Sequence, residues 1–262
     1  MTSEERPSGR RGVYLLPNLL TTGTLFAGFY AIVAAIDGNY ERAAIAVFVA
    51  MVFDGLDGRV ARWTHTESAF GKEYDSLSDM VAFGLAPAIV VYQWGVARIA
   101  EYGAAWGRAG WLVAFLYAAA AAFRLARFNT RTAVVDKRYF EGLPSPSAAA
   151  VVAAFIWTVA AYDIGGLPGL ALAFVVTGIA GTLMVSRFSY PSFKVSPNAR
   201  LKFASALIVP LTFVLISLNP PAVLLTLFGT YALFAPLLWV VRRLRRRPRE
   251  AVPPPDAGTP EA

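Results

Sequence analysis

Residues 41–97 read ERAAIAVFVAMVFDGLDGRVARWTHTESAFGKEYDSLSDMVAFGLAPAIVVYQWGVA: two apolar runs that meet at a polar stretch carrying Asp54, Asp57, Asp75 and Asp79. Apolar segments of about 20 residues are what a membrane-spanning helix needs, and carboxylates are costly at bilayer depth. Four of them at the junction of two such runs therefore mark a functional place in a membrane protein.

Working outward, the apolar pattern recurs along the whole chain. Of 262 residues, 56% are hydrophobic and 16% charged, with a mean hydropathy of +0.51. The chain is expected to be an all-α polytopic membrane protein. Eight spans are predicted, at about 13–36, 41–63, 74–97, 110–128, 145–162, 167–185, 203–218 and 222–241. The first is too long for a removable signal peptide and lacks a small-residue cleavage site. Asp37-Gly38-Asn39 is a turn signal, and Asp163-Ile-Gly-Gly is a thinner divider between spans five and six. Residues 1–12 read as a polar cytoplasmic lead, 13–241 as the transmembrane domain, and 242–262 as a basic, then Pro-rich disordered cytoplasmic tail. No cysteine is present, so disulfide frameworks and thiolate chemistry are excluded.

The net charge of +7 lies beside the spans rather than in a soluble basic domain, so the expected partner is membrane lipid and not nucleic acid. An even number of spans puts both ends on one side. The loops of that side carry Arg6, Arg10, Arg11, Lys72, Arg131, Lys137, Arg138, Arg187, Lys194, Arg200, Lys202 and the arginines from Arg242 to Arg249, against Arg42, Arg98 and Arg108 opposite. Both termini and the acidic stretch are therefore expected at the cytoplasmic face.

Asp54 and Asp57 are spaced i, i+3 and Asp75 and Asp79 i, i+4, so each pair shares one helix face. Two antiparallel helices aim all four carboxylates into one space. All-oxygen ligands suit hard divalent cations, and such ions commonly bind substrate phosphates. Gly58 and Gly71 allow close approach of a phosphate or nucleotide, and Arg62 offers a planar fork to phosphate oxygens. From spacing alone three readings stand: an enzymatic metal site, a cation or proton pathway, and structural pairing with Arg59 and Arg62.

The arrangement Asp54-x2-Asp57-Gly58-x2-Ala61-Arg62-x8-Gly71-x3-Asp75-x3-Asp79 resembles the full signature of the CDP-alcohol phosphotransferases. Three other stretches, Leu16-Pro17-Asn18-Leu19-Leu20-Thr21, Phe123 to Thr130 and Lys137 to Pro146, are similar to bacterial phosphatidylserine synthases. The similarity covers about residues 13–240. It implies a multi-pass enzyme of the cytoplasmic (inner) membrane that transfers the phosphatidyl group of CDP-diacylglycerol to L-serine and releases CMP. A sibling transferase using glycerol phosphate, inositol phosphate or choline is the alternative.

Carried over by position, the resemblance makes Asp54, Asp57, Asp75 and Asp79 the ligands of Mg²⁺ or Mn²⁺, two ions in all, with Asp79 also orienting or deprotonating the acceptor hydroxyl. Gly58, Ala61, Arg62, Ser68 and Gly71 would hold the CDP portion, with Asn18 and Thr21 closing the pocket from helix one. A homodimer is implied by the same likeness. For the acceptor, Arg124 and Arg127 share a face and could take the serine carboxylate or anchor to lipid phosphate, while Asn129 reads as a helix cap or an amino-acid ligand. His65 reads as a solvated loop residue, and Gly142-Leu-Pro-Ser-Pro146 as a turn. Tyr92, Trp94, Trp106, Trp111, Trp157 and Tyr162 read as interfacial belts, and Gly23, Gly28, Gly178 and Gly181 as points of close helix approach or a dimer surface.

Overall fold

The computed structural model describes residues 15–131, 139–191 and 210–245. The expected lead at 1–12, the tail beyond residue 245 and residues 203–209 of the seventh span lie outside the described residues. Helices α1 (Leu15–Ile36) and α2 (Tyr40–Thr64) form an antiparallel pair. Next comes α3 (Ala69–Asp79), a π-helical turn (Met80–Leu85) and α4 (Ala86–Trp94), followed by a 3₁₀ segment (Val96–Tyr102) and α5 (Ala104–Arg131). Strand β1 (Tyr139–Glu141), α6 (Ser145–Ala161), α7 (Gly166–Val185), strand β2 (Ser189–Pro191), α8 (210–218) and α9 (Pro220–Arg245) complete the order. Five helical segments among the described residues are long and apolar enough to cross a membrane: Leu16–Ile36, Ala69–Tyr102, Ala104–Thr130, Gly166–Val185 and Pro220–Leu244. The molecule is a multi-pass membrane protein, all-helical among the described residues apart from one short hairpin.

Local sequence explains where the helices end. After α1, Asn39 N–H donates to Ala34 O and Gly38 N–H to Ala35 O, a Schellman close with Gly38 at φ +77°. The same pair of bonds closes α2, with His65 taking the left-handed position at φ 52°. His65 is solvent-exposed, as expected of a loop residue. Ser68 then caps α3 by accepting the Gly71 N–H at 2.9 Å, so this helix begins five residues before the expected start of span three at 74. Residues 96–102 are a 3₁₀ segment and α5 starts at Ala104, six residues earlier than the apolar pattern suggests. Helix α9 continues through Arg245, so the first tail arginines are helical, with Arg243 lying over the Trp239 ring at 5.1 Å.

α6 is the centre of the bundle, contacting α2, α4, α7 and α9. Its Ala148–Ala154 stretch is buried throughout, because small side chains let neighbouring helices approach closely where lipid supplies no hydrophobic drive. The glycines flagged for close approach act inside the chain. A Cβ on Gly28 would lie 2.6 Å from Ala82 Cα, and one on Gly181 3.2 Å from Tyr117 Cα. The belt expectation divides: Trp106, Trp111 and Tyr162 are about half exposed, whereas Trp94 is buried in the core and Trp157 packs against Phe48. Trp94 is covered because the 3₁₀ segment folds back beside α7, where its ring lies against Gly169.

The hairpin escapes the apolar pattern because its strands are three residues each. Tyr139 pairs with Pro191, Phe140 with Tyr190 and Glu141 with Ser189, joining the link after α5 to the link after α7. Tyr190 is fully buried and donates to Ala232 O of α9 at 2.9 Å, which ties the hairpin to the last helix.

A bulkier residue at Gly28 has backbone, not a movable side chain, in its way. Gly28→Val should cost about 1–3 kcal/mol of stability, read as a lower thermal midpoint in detergent. Gly229→Ala, where a Cβ meets nothing within 4 Å, should leave the midpoint unchanged or raise it.

Candidate active site

The acidic site is built where α2 ends and α3 begins. Asp54 and Asp57 lie in the second half of α2, and Asp75 reaches them from the second turn of α3. Each of these three offers a carboxylate oxygen, all within 4.8 Å of one another, and Asp57 is buried. Two unit charges at that separation repel by roughly 3 kcal/mol at an effective dielectric of about 20. Bound cations relieve that repulsion, and three converging carboxylates are a donor set for a hard divalent ion.

Asp79 lies outside this triplet. It ends α3, and its Oδ1 is buried with no hydrogen-bond partner among the described residues. Buried polar atoms are nearly always paired, so an orphaned carboxylate oxygen beside an acidic triplet calls for a ligand that supplies a cation or a proton. The residues therefore fit a divalent-metal site, with Asp79 set apart from the three closest ligands.

Other elements hold the acids in place. The Thr21 hydroxyl, buried in α1, donates to Asp57 Oδ2 at 2.8 Å, and Gly58 N–H supports the same carboxylate. Thr21 is thus a partner of a candidate metal ligand as much as a wall of the pocket. Asn129 Nδ2 donates to Ser76 Oγ at 2.8 Å, tying α5 to the residue beside Asp75. Since α5 continues to Arg131, Asn129 is neither a helix cap nor aimed away from the bundle. Tyr74, stacked on Phe70, shares a 2.9 Å hydrogen bond with Thr22 and joins α3 to α1.

A cavity of about 550 Å³ opens on Asp57 and Asp75 of the triplet. Asn18, Thr21, Gly58, Ala61, Arg62, Ser68 and Gly71, all expected at the nucleotide, line it together with Asp57 and Asp75. Ser68 does so while capping α3, and a Cβ on Gly71 would approach Ser68 Oγ to 3.1 Å and Asn18 Oδ1 to 3.6 Å. Thr66, Glu67, Lys72 and Phe128 also line the cavity and were not singled out from sequence. Lys72 and Phe128 carried a signal, one lying next to Gly71 and the other four residues after Arg124; Thr66 and Glu67 look like ordinary loop residues.

The two arginines expected at the acceptor have different surroundings. Arg124 donates to Ser145 Oγ at 2.7 Å, lies over Phe128 at 5.7 Å and is within electrostatic reach of Asp79. The Arg127 guanidinium faces carbonyls of Glu141, Met184, Val185 and Ser186 at 2.9–3.4 Å. These are the last carbonyls of α7 and the hairpin, so Arg127 caps a helix C-terminus and closes the hairpin rather than facing the acids.

Comparison with known proteins adds three observations. A family model described as CDP-alcohol phosphatidyltransferase matches residues 14–186. A CDP-diacylglycerol–serine O-phosphatidyltransferase of Helicobacter pylori is 37% identical over 231 residues, 87% of this chain and 92% of that protein. An archaetidylserine synthase of Methanothermobacter thermautotrophicus is 36% identical over 179 residues, 67% of this chain and 69% of its own, and a Mycobacterium bovis protein with the same name as the Helicobacter one is 39% identical over 152 residues, 55% of this chain and 50% of its own.

Thr21→Val keeps the shape of the side chain and removes the donor to Asp57. Mn²⁺ titration followed by electron paramagnetic resonance should show binding weakened about 10–100-fold, the usual effect of losing a partner that orients a metal ligand.

Proposed function

The chain belongs to the CDP-alcohol phosphatidyltransferase family, and from that premise we propose that it transfers the phosphatidyl group of CDP-diacylglycerol to the hydroxyl of L-serine, forming phosphatidylserine and CMP. The observation that carries the reading is the buried, unpartnered Asp79 oxygen next to the Asp54–Asp57–Asp75 triplet. The names of relatives matched along most of the chain support serine as the acceptor. A transferase family also removes the ground for a cation pathway or purely structural pairing as the purpose of the acids.

In this reading Asp54, Asp57 and Asp75, with Asp79, would hold divalent cations, Mg²⁺ or Mn²⁺ and two in number. When bound, the ions neutralise pyrophosphate charge and stabilise the departing CMP. Gly58, Ala61 and Gly71 let the nucleotide lie close to the backbone, and Arg62, Ser68 and Asn18 bind its polar groups, with Thr21 bracing Asp57. The serine oxygen forms its bond to the diacylglycerol-linked phosphorus as the bond to the CMP oxygen breaks. Asp79 aims the hydroxyl and accepts its proton. Arg124 takes the serine carboxylate in a bidentate grip, because it combines nearness to Asp79 with a fork geometry that matches a carboxylate. Arg127 and Asn129 support the site through the hairpin and α3 instead of touching the amino acid.

The same reading puts the site at the cytoplasmic face of a bacterial-type inner membrane, with eight spans and both termini inside, on the Lys and Arg bias of the loops. There a water-soluble amino acid can meet a lipid-borne nucleotide. Residues 13–241 form the catalytic domain, the basic stretch after it contacts anionic lipid, and the working form is a homodimer, as the family resemblance implies.

Purified protein with Mg²⁺ or Mn²⁺ and CDP-diacylglycerol should release CMP only when serine is supplied. Release with glycerol 3-phosphate, inositol phosphate or choline instead would assign a sibling acceptor, and no release with any alcohol would overturn the transferase reading. Asp79→Asn should lower kcat by at least about 100-fold while nucleotide binding, measured by calorimetry, is largely kept. Arg124→Lys should act mainly on the serine KM, raising it about 10-fold or more, since a point charge replaces a bidentate fork.

A further inference from the structure

Asp79 is followed at once by the π-turn Met80–Leu85, in which Ala86 N–H donates to Val81 O, five residues back instead of four. A reason for the wider turn lies in the sequence. In an α-helix the donor to Phe83 O is the N–H of residue 87, and residue 87 is Pro87, which has none. The Phe83 carbonyl is instead taken by Tyr117 of α5, whose hydroxyl donates to it at 3.0 Å from a fully buried side chain. Space for this arrangement is made by small residues: Gly28 lies against Ala82, Gly84 against Met80 and Ala121, and Gly181 against the Tyr117 backbone.

The π-turn has a consequence for the acids. One extra residue in a helix rotates the part before it by about 100° relative to the part after it. α4 is fixed in the core by Val90, Val91 and Trp94, so the rotation falls on α3, which carries Asp75 and Asp79. Without the wide turn, the face of α3 that meets Asp54 and Asp57 would be turned away from them. π-turns within α-helices recur at functional sites for this kind of reason.

We propose that Tyr117 is a positioning residue for the acidic site: by holding the Phe83 carbonyl that Pro87 leaves without its α-helical donor, it maintains the π-turn that directs Asp75 and Asp79 toward Asp54 and Asp57. Tyr117 lines no part of the nucleotide cavity and acts only through the helix it grips. The turnover part of its test rests on the transferase reading given above; the metal-binding part does not.

Two variants of the full chain test the proposal. Tyr117→Phe removes one hydroxyl and leaves the ring. Pro87→Ala returns an N–H to the α-helical partner of Phe83 O and lets the segment relax to α register. Both should weaken Mn²⁺ binding, read by electron paramagnetic resonance without substrate, by about 10-fold or more, and both should lower kcat with CDP-diacylglycerol and serine. Pro87→Ala carries the discriminating readout, because alanine is the better helix former and its thermal midpoint should stay level or rise while metal affinity and kcat fall. A merely structural role for this contact predicts the opposite pairing. Parental Mn²⁺ affinity and kcat in a folded Pro87→Ala or Tyr117→Phe protein would overturn the proposal. Since Mn²⁺ binding needs no turnover, an absent serine reaction in the parent chain would count against the functional reading alone.

Discussion

Mutual repulsion among carboxylates is the constraint around which this protein is arranged. Oxygens of Asp54, Asp57 and Asp75 converge within 4.8 Å, and Asp79 holds a buried oxygen that nothing among the described residues satisfies. No membrane protein keeps such a cluster for stability, because each acid would be cheaper to hold apart or in water. Each helix near the site contributes something that opposes the splaying the charges favour. Thr21 of α1 and the Gly58 N–H grip Asp57, Ser68 fixes the first turn of α3, Tyr74 bonds Thr22, and Asn129 of α5 bonds Ser76. On the proposed function the arrangement would be a preorganised receptor for cations and pyrophosphate, which is where electrostatic catalysis draws its strength.

Packing serves the same end. The bundle is centred on α6, whose run of small residues brings α2, α4, α7 and α9 close without large side chains between them. Glycines at 28 and 181 let α1 meet the π-turn and α7 meet α5 at nearly backbone contact. Rigid support of this kind matters because positioning supplies much of the rate in a transfer reaction whose covalent demands on the protein are small. The cavity is lined by Arg62 and Lys72 as well as by the acids, while many large apolar side chains stay exposed on the outer faces of the helices.

Arg124 and Arg127 illustrate how tertiary structure separates residues that look alike. They lie three apart on one helix and, by sequence, are interchangeable candidates for the amino-acid carboxylate. In the fold, one turn of α5 is enough to put Arg124 beside Ser145 and within reach of Asp79, and to put Arg127 among four carbonyls at the end of α7. The division depends on the β1–β2 hairpin, which brings the links after α5 and α7 together.

Much of the molecule is legible before folding. Apolar segment length announces the membrane helices, and i, i+3 and i, i+4 spacing puts the aspartates on common faces, because both signals are local and periodic. The nucleotide residues read from the signature all line one cavity for the same reason: the signature spans two adjacent helices joined by a short loop. What escapes is whatever depends on distant segments meeting. The short hairpin has no period to detect, Trp94 is buried by a 3₁₀ segment that falls mostly in the expected loop between spans three and four, and Thr66 and Glu67 join the cavity only because the loop folds over it. The direction in which α3 turns its two acids belongs to this second class. Local spacing groups all four, but the register of α3 is decided by a proline eight residues beyond Asp79 and a tyrosine hydroxyl from α5, and no pattern within α3 itself contains either.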